Sequence, residues 1–158
     1  MDVVRRMQAG VVANDPMLNG MCEAVAWRMK ADAAVVTLLL ERDQVFIGRH
    51  GLRSSPGKMP RQHSDAMLGL RYFEELRMDE NPVMARNPMV HGPHDAFRSV
   101  VTAPLFMDGV VIGALNVLTR THRTAPHDEA ALAILFQACR GIEAHLAFGV
   151  LIRIKAAS

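Results

Sequence analysis

At 158 residues the chain has the length of one domain, long enough to close a core and short for two. Half of it is apolar, 22% is charged and the net charge is only +2 at pH 7. The basic residues form no run, which argues against nucleic acid or an anionic membrane surface as partner.

Arg5 and Arg6 make the densest basic spot, and a solvated helix face accounts for them. Cys22 and Cys139 both fall in apolar helical patterns, and the N-terminus lacks the charged-then-apolar layout of a secretion signal. Two reduced, buried thiols and a cytoplasmic location follow as expectations. The most apolar run, Ala33 to Leu40, is strand-sized, so no segment is expected to approach the roughly 20 residues of a membrane span. Eleven methionines against one tryptophan and one tyrosine is an unusual apolar inventory. Methionine fills irregular cores and also suits adaptable binding surfaces.

In chain order, Val3, Val4, Met7, Val11 and Val12 predict a short amphipathic helix. Asp15 then caps a second helix with Pro16 at its first position. Leu18, Met21, Cys22, Val25, Ala26 and Met29 share one face of it, and it is expected to end near Ala31. "AAVVTLLLE" predicts a strand covered on both faces, "ERDQ" a tight turn, and "VFIGRH" an antiparallel return strand. "GLRSSPGKMPRQ" predicts a loop, followed by a helix capped by Ser64 on which Met67, Leu70 and Phe73 share a face.

Residues 79–93 carry three prolines, two asparagines and a glycine, which predicts an irregular but ordered loop. "FRSVVTAPLF" and "VVIGALNVLT" predict two strands joined through Asp108-Gly109, a pair suited to a primed hairpin turn. Pro104 marks an edge or a bulge. Asp128 and Glu129 open a last helix whose buried stripe is Leu132, Leu135, Phe136, Cys139, Ile142 and Leu146. Its apolar pattern runs on through Val150, Ile152 and Ile154, more than one small domain can bury.

This is an α+β plan with a mainly antiparallel sheet. At Asn87-Pro88, Val90 and Gly92-Pro93, then Ala103-Pro104-Leu105, then Gly109, Gly113, Leu115 and Val117, and finally Asp128-Glu129, the sequence resembles a GAF domain. The resemblance is strongest over residues 79–146 and extends from about residue 17. It implies one domain over residues 1–158, profilin-like, with a central antiparallel sheet of five to six strands. Terminal helices 1–30 and 127–155 would lie on one face as dimerisation and output elements. Loops and a short helix would cover a ligand pocket on the other. Gly113 would let a neighbouring backbone approach the sheet closely.

By that resemblance the chain is a non-catalytic sensory or regulatory domain in signal transduction. It would bind a small molecule of unknown identity, pair with a second copy and act on a separate signalling partner. The alternative is a dimerisation module with a vestigial pocket. A third reading, a methionine sulfoxide reductase-like enzyme, suffers because such proteins place cysteines in or near the pocket loops, and this chain has none there. A bilin is disfavoured because no Cys-His pair occurs, and the "NKxxFDE" string of cyclic-nucleotide relatives is absent, with Asn116 standing alone. Haem or another small ligand stays open, since one histidine can serve as axial ligand.

Candidate pocket residues are Phe46, Tyr72, Phe73, Met84, His91, His94 and Arg98. The first four are equally suited to ordinary core. His91 and His94 sit at i, i+3, but Zn²⁺ needs three or four ligands, and Asp95 is awkwardly spaced, so no metal site is expected. Those histidines and Arg98 would instead line a pocket mouth, Arg98 pairing an anionic or carbonyl-bearing ligand. Arg49 and His50 end a strand and point to solvent, and His127 reads as a surface residue. No catalytic residue is assigned, because no activated nucleophile or carboxylate pair has a recognisable setting.

Overall fold

The computed structural model describes residues 15–54, 57–60 and 69–157, with side chains through residue 149. The predicted helix over residues 3–12, the Arg5-Arg6 pair, Ser64 and Met67 lie outside the described residues, as do the side chains of Val150, Ile152 and Ile154. Helix α1 spans Pro16–Arg28. The Asp15 carboxylate accepts hydrogen bonds from the backbone N–H groups of Met17 at 2.9 Å and Leu18 at 3.3 Å. These are donors that a helix start leaves unpaired, and Pro16 occupies the first turn, where it forfeits nothing. The helix stops at Arg28, slightly short of the expected end, and Lys30 turns the chain at φ 55.

Six strands follow: β1 (Ala33–Leu39), β2 (Asp43–His50), β3 (Lys58–Pro60), β4 (Phe73–Glu75), β5 (Ser99–Met107) and β6 (Val110–Thr119). They form one antiparallel sheet in the order β3-β2-β1-β6-β5-β4. Asp108 and Gly109 reverse β5 into β6 with φ 51 and 76, pairing Met107 with Val110 across a two-residue turn. Every residue of β1 is buried, as a strand with both faces covered requires.

Two strands depart from expectation. Residues 58–60 pair with β2 as edge strand β3 instead of remaining loop. Phe73 lies not on a helix but on edge strand β4, opposite Thr102 of β5. β4 reaches no further than Thr102, so among the described residues Pro104 sits on a free edge, just before an irregularity at Leu105/Phe106. The proline-rich loop is ordered as two single 3₁₀ turns, Met78–Glu80 and Met84–Arg86, and a four-residue helix α2, Pro88–His91. The Gly92-Pro93 peptide bond is cis.

Helix α1 and the long helix α3 (Glu129–Ala157) cover one sheet face. Leu18, Cys22, Val25 and Ala26 of α1 and Leu135, Cys139, Ile142 and Leu146 of α3 pack there with Ala34, Val36, Ile47, Val101, Ala103 and Leu115. The other face carries Ala33, Val35, Phe46, Val100 and Leu118 beneath Met59, Met78, Met89, Val90 and Phe97. Over Glu129–Gly149, 21 residues, α3 is long and apolar enough to cross a membrane by length and composition. That corrects the expectation that no segment approaches such a span; its Leu135–Leu146 stripe is packed on the sheet.

Close backbone approach fixes two contacts. Gly48 meets α1 where an added Cβ would lie 2.6 Å from that of Leu18. Gly113 sits opposite Leu38 of β1, and an added Cβ would overlap the Thr37 carbonyl oxygen. Backbone cannot retreat from a side chain as a flexible tip can. Gly113→Ala is therefore expected to lower stability by roughly 1–3 kcal/mol, the range for overpacking, in urea denaturation.

Candidate functional site

Strand alternation puts Val35, Thr37, Phe46, Phe73, Val100, Thr102, Asn116 and Leu118 on the sheet face away from α1 and α3. The segment Met78–Val90 arches over them as a lid. Between sheet and lid lies a cavity of about 100 Å³. Its apolar walls come from those sheet residues and from Met59, Met78, Val83, Met84 and Met89; its polar lining is Thr37, Gln44, Asn87, Thr102 and Asn116. Among the described residues, none that lines the cavity is charged, a histidine or a cysteine.

The polar groups differ in how well the chain satisfies them. Thr102 Oγ1 donates to Asn116 Oδ1 at 3.0 Å, and Asn116 Nδ2 donates to the Val35 carbonyl at 3.3 Å. Asn87 caps α2, accepting from the Met89 N–H at 2.8 Å. Thr37 is 2% exposed, and its Oγ1 has no hydrogen-bond partner among the described residues. A buried hydroxyl without a partner costs free energy, so this one marks the cavity floor.

The lid is tied down along both margins. Met78 N–H donates to the Arg98 carbonyl at 2.7 Å, and Phe97 N–H to the Met89 carbonyl at 3.0 Å. Asp79 accepts from His122 Nε2 at 2.6 Å and lies 3.7 Å from Arg98 Nε. Beyond the lid, Asp95 receives a two-pronged contact from Arg120, Nε to Oδ1 at 2.9 Å and Nη2 to Oδ2 at 3.0 Å. It also accepts from the backbone N–H groups of Arg53 and Ala96. Arg120 Nη2 further donates to the Gly51 carbonyl at 2.6 Å and its guanidinium lies over Phe97. This clasp joins the lid's exit to the ends of β2 and β6.

The candidate residues separate into three groups. Phe46, Phe73 and Met84 line the cavity. Tyr72 lies on the opposite face, edge-on to Phe136 of α3 with ring centroids 6.0 Å apart. His91, His94 and Arg98 lie outside the cavity along a shallow surface groove. His91 Nε2 donates to the Arg86 carbonyl at 2.8 Å, and His94 Nδ1 pairs with Ser54 Oγ at 3.0 Å. Arg98 Nη1 donates to the carbonyls of Val90 and Phe97. Outside the cavity, the Arg98 guanidinium, expected to pair an anionic ligand at the pocket mouth, holds the lid's own backbone. No cluster of three metal-ligating side chains occurs among the described residues.

Sequence reasoning passed over Thr37, Gln44, Thr102 and Asn116. A usable signal was present, because Thr37, Thr102 and Asn116 are lone polar residues within apolar strand runs on adjacent strands. His127, read as a surface residue, has a side chain only 8% exposed and pairs through Nδ1 with Glu74 of β4. Its backbone N–H also donates to both Glu74 oxygens at 3.2 Å. Both cysteines lie in the core on the helix-covered face, where burial pushes each thiol up to about 12. A thiolate is strongly disfavoured there.

No family model matches the sequence, and no curated protein matches it. Solved structures do match in three dimensions. The GAF domain of an Acinetobacter phosphoenolpyruvate-protein phosphotransferase superposes with TM-score 0.65 at 19% identity, over 92% of this chain and 88% of that one. A type II free methionine-R-sulfoxide reductase from Thermoplasma acidophilum gives 0.64 at 13% identity, over 92% and 95%. A phycocyanobilin-bound GAF domain from a cyanobacterial phytochrome gives 0.62 at 15%, over 89% and 92%. At these identities the likeness is one of fold: the chain is a GAF-like α+β domain with a six-stranded antiparallel sheet and its helices packed on it. Among the described residues no histidine or cysteine faces the cavity, the side chains from which an axial haem ligand or a bilin attachment would come.

Burial alone would raise the Asp95 pKa, but the hydrogen bonds from Arg120 and from the backbone of Arg53 and Ala96 outweigh it and hold the carboxyl at about 2. A lowered carboxylate pKa stabilises the fold above its ordinary value of 3.8, and that contribution is lost as pH falls through about 2. Asp95→Asn should cost roughly 2 kcal/mol at pH 6, at about 1.36 kcal/mol per pKa unit. In denaturation curves at stepped pH, the gap between wild type and variant should close below pH 4, the ordinary carboxylate range.

Proposed function

We propose that this chain is a non-catalytic sensory domain whose cavity binds a small molecule and whose output passes through α3 to a second copy and a separate signalling partner. The supporting observation is the three-residue strand β4. Phe73 points into the cavity, whereas its neighbours face the other way: Glu74 grips the His127 backbone and ring at the start of α3, and Tyr72 packs on Phe136. Arg71 adds a guanidinium 4.5 Å from the centre of the same Phe136 ring. A shift of Phe73 on ligand binding is thus carried to the first turns of α3 by adjacent residues. Such a shift biases two states only if the ligand prefers one of them.

The absence of a charged, histidine or cysteine side chain among the described lining residues supports binding over chemistry. The sulfoxide reductase in the fold comparison is an enzyme by its own description, but here both thiols are in the wrong core and disfavour ionisation. A cytoplasmic setting accords with two free, buried cysteines.

Pairing with a second copy is supported by the outer faces of α1 and α3. Met17, Trp27 and Phe148 are exposed there, Trp27 by 82%, and Ala24, Ala138 and Gly141 line the groove between the two helices. Small residues let a further helix approach closely, and an exposed indole is a typical interface anchor. Trp27→Glu is expected to shift the protein from dimer to monomer in sedimentation analysis. An unchanged dimer would move the interface elsewhere.

Thermal unfolding against a broad metabolite panel tests the sensory reading. At least one compound should raise the midpoint saturably, because binding to the folded state alone stabilises it. Hydrogen exchange over residues 129–137 should change with that compound, and Glu74→Ala should abolish the change while leaving binding within about threefold. Stability that depends only on protein concentration, with no compound effective, would instead make the chain a dimerisation module with a vestigial pocket.

A further inference from the structure

The sensory reading above leaves its ligand class open, and the cavity lining narrows it. A charged ligand entering this space would lose its hydration and meet no opposite charge among the described lining residues. Arg98 at the lid's margin is engaged with two carbonyls and Asp79, and Arg120 beyond it with Asp95. The walls are aliphatic, aromatic and thioether surface, suited to an apolar body.

The polar demand is local. Thr37 Oγ1, on the floor, can donate and accept, and the described residues supply it with neither partner. Gln44 is 7% exposed and lines the same cavity, with its side-chain amide available as both donor and acceptor group. Leu39 pairs with Gln44 and Thr37 with Phe46, so Thr37 and Gln44 are diagonal neighbours on one face of the β1–β2 pair. Diagonal neighbours lie about 7–8 Å apart, a gap that one small polar group bridges. Thr102 and Asn116 are satisfied by each other and by the Val35 carbonyl, so they make no comparable demand.

Size sets the last limit. A cavity of about 150 Å³ holds benzene, and this one measures about 100 Å³ with methionine side chains that can give way. We infer that the cavity takes an uncharged, mainly apolar molecule about the size of a single ring, bearing one amide or hydroxyl group that hydrogen-bonds to Thr37 and Gln44.

The test is ¹³C-methyl methionine NMR, with Met59, Met78, Met84 and Met89 assigned by single Met→Leu substitutions, titrated with benzene, phenol, benzamide and benzoate. Phenol and benzamide should shift those methyl signals saturably, and benzamide should bind at least tenfold more tightly than its near-isostere benzoate. Thr37→Val should weaken benzamide about fivefold, the loss of one hydrogen bond, without changing benzene; Thr37→Ser should restore benzamide. Benzoate binding as tightly as benzamide would overturn the uncharged-ligand inference, and an unchanged benzamide affinity in Thr37→Val would overturn the placement of the polar group. Both results leave the sensory cavity standing. If none of the four, benzene included, moves any of these methyl signals, the accessible cavity and the ligand inference fall together.

Discussion

A β-strand sends successive side chains to opposite sides, and here the sheet is covered on both. That constraint organises the molecule. It sorts Val36, Leu38, Val101 and Leu115 under the two long helices and Val35, Thr37, Val100 and Leu118 under the lid. It keeps the two faces chemically separate, so the thiols of Cys22 and Cys139 never meet the cavity. It also makes an edge strand the shortest route from one face to the other, because Phe73 and Glu74 are neighbours in sequence and face opposite ways.

The same constraint explains what was legible before the fold was known. Asp15-Pro16 and Asp108-Gly109 act through their own backbone geometry, so local sequence sufficed to place a helix start and a hairpin. Gly113 was readable because only the smallest residue tolerates a carbonyl at that distance. The long strands carried enough β-branched residues to declare themselves. The proline-studded segment was readable as ordered, and its role as cover followed from the family resemblance.

What escaped was decided by tertiary pairing. β3 and β4 are three residues each, too short for a period-two pattern, and the spacing of Leu70 and Phe73 imitates a helix face. Tyr72 and Phe73 were grouped as pocket candidates, although Tyr72, just before β4, packs on Phe136 and Phe73 lines the cavity on the other face. The histidines and Arg98 drew attention as functional groups, but their hydrogen bonds go to the lid and neighbouring loop. Conversely, Thr37 reads as an ordinary strand threonine, and only the fold shows its hydroxyl buried without a partner among the described residues. His127 needed Glu74, 53 residues away in sequence, to become a buried pair.

The fold is shared by a sulfoxide reductase and by the GAF domain of a phosphotransferase, so fold alone does not assign function and the hollow beneath residues 78–90 carries the proposal. A crystal pressurised with xenon probes that hollow most directly. Xenon density between Thr37 on the floor and the methionines of the lid is the predicted result. Methionine side chains packed down onto Thr37, with no xenon between them, would contradict it.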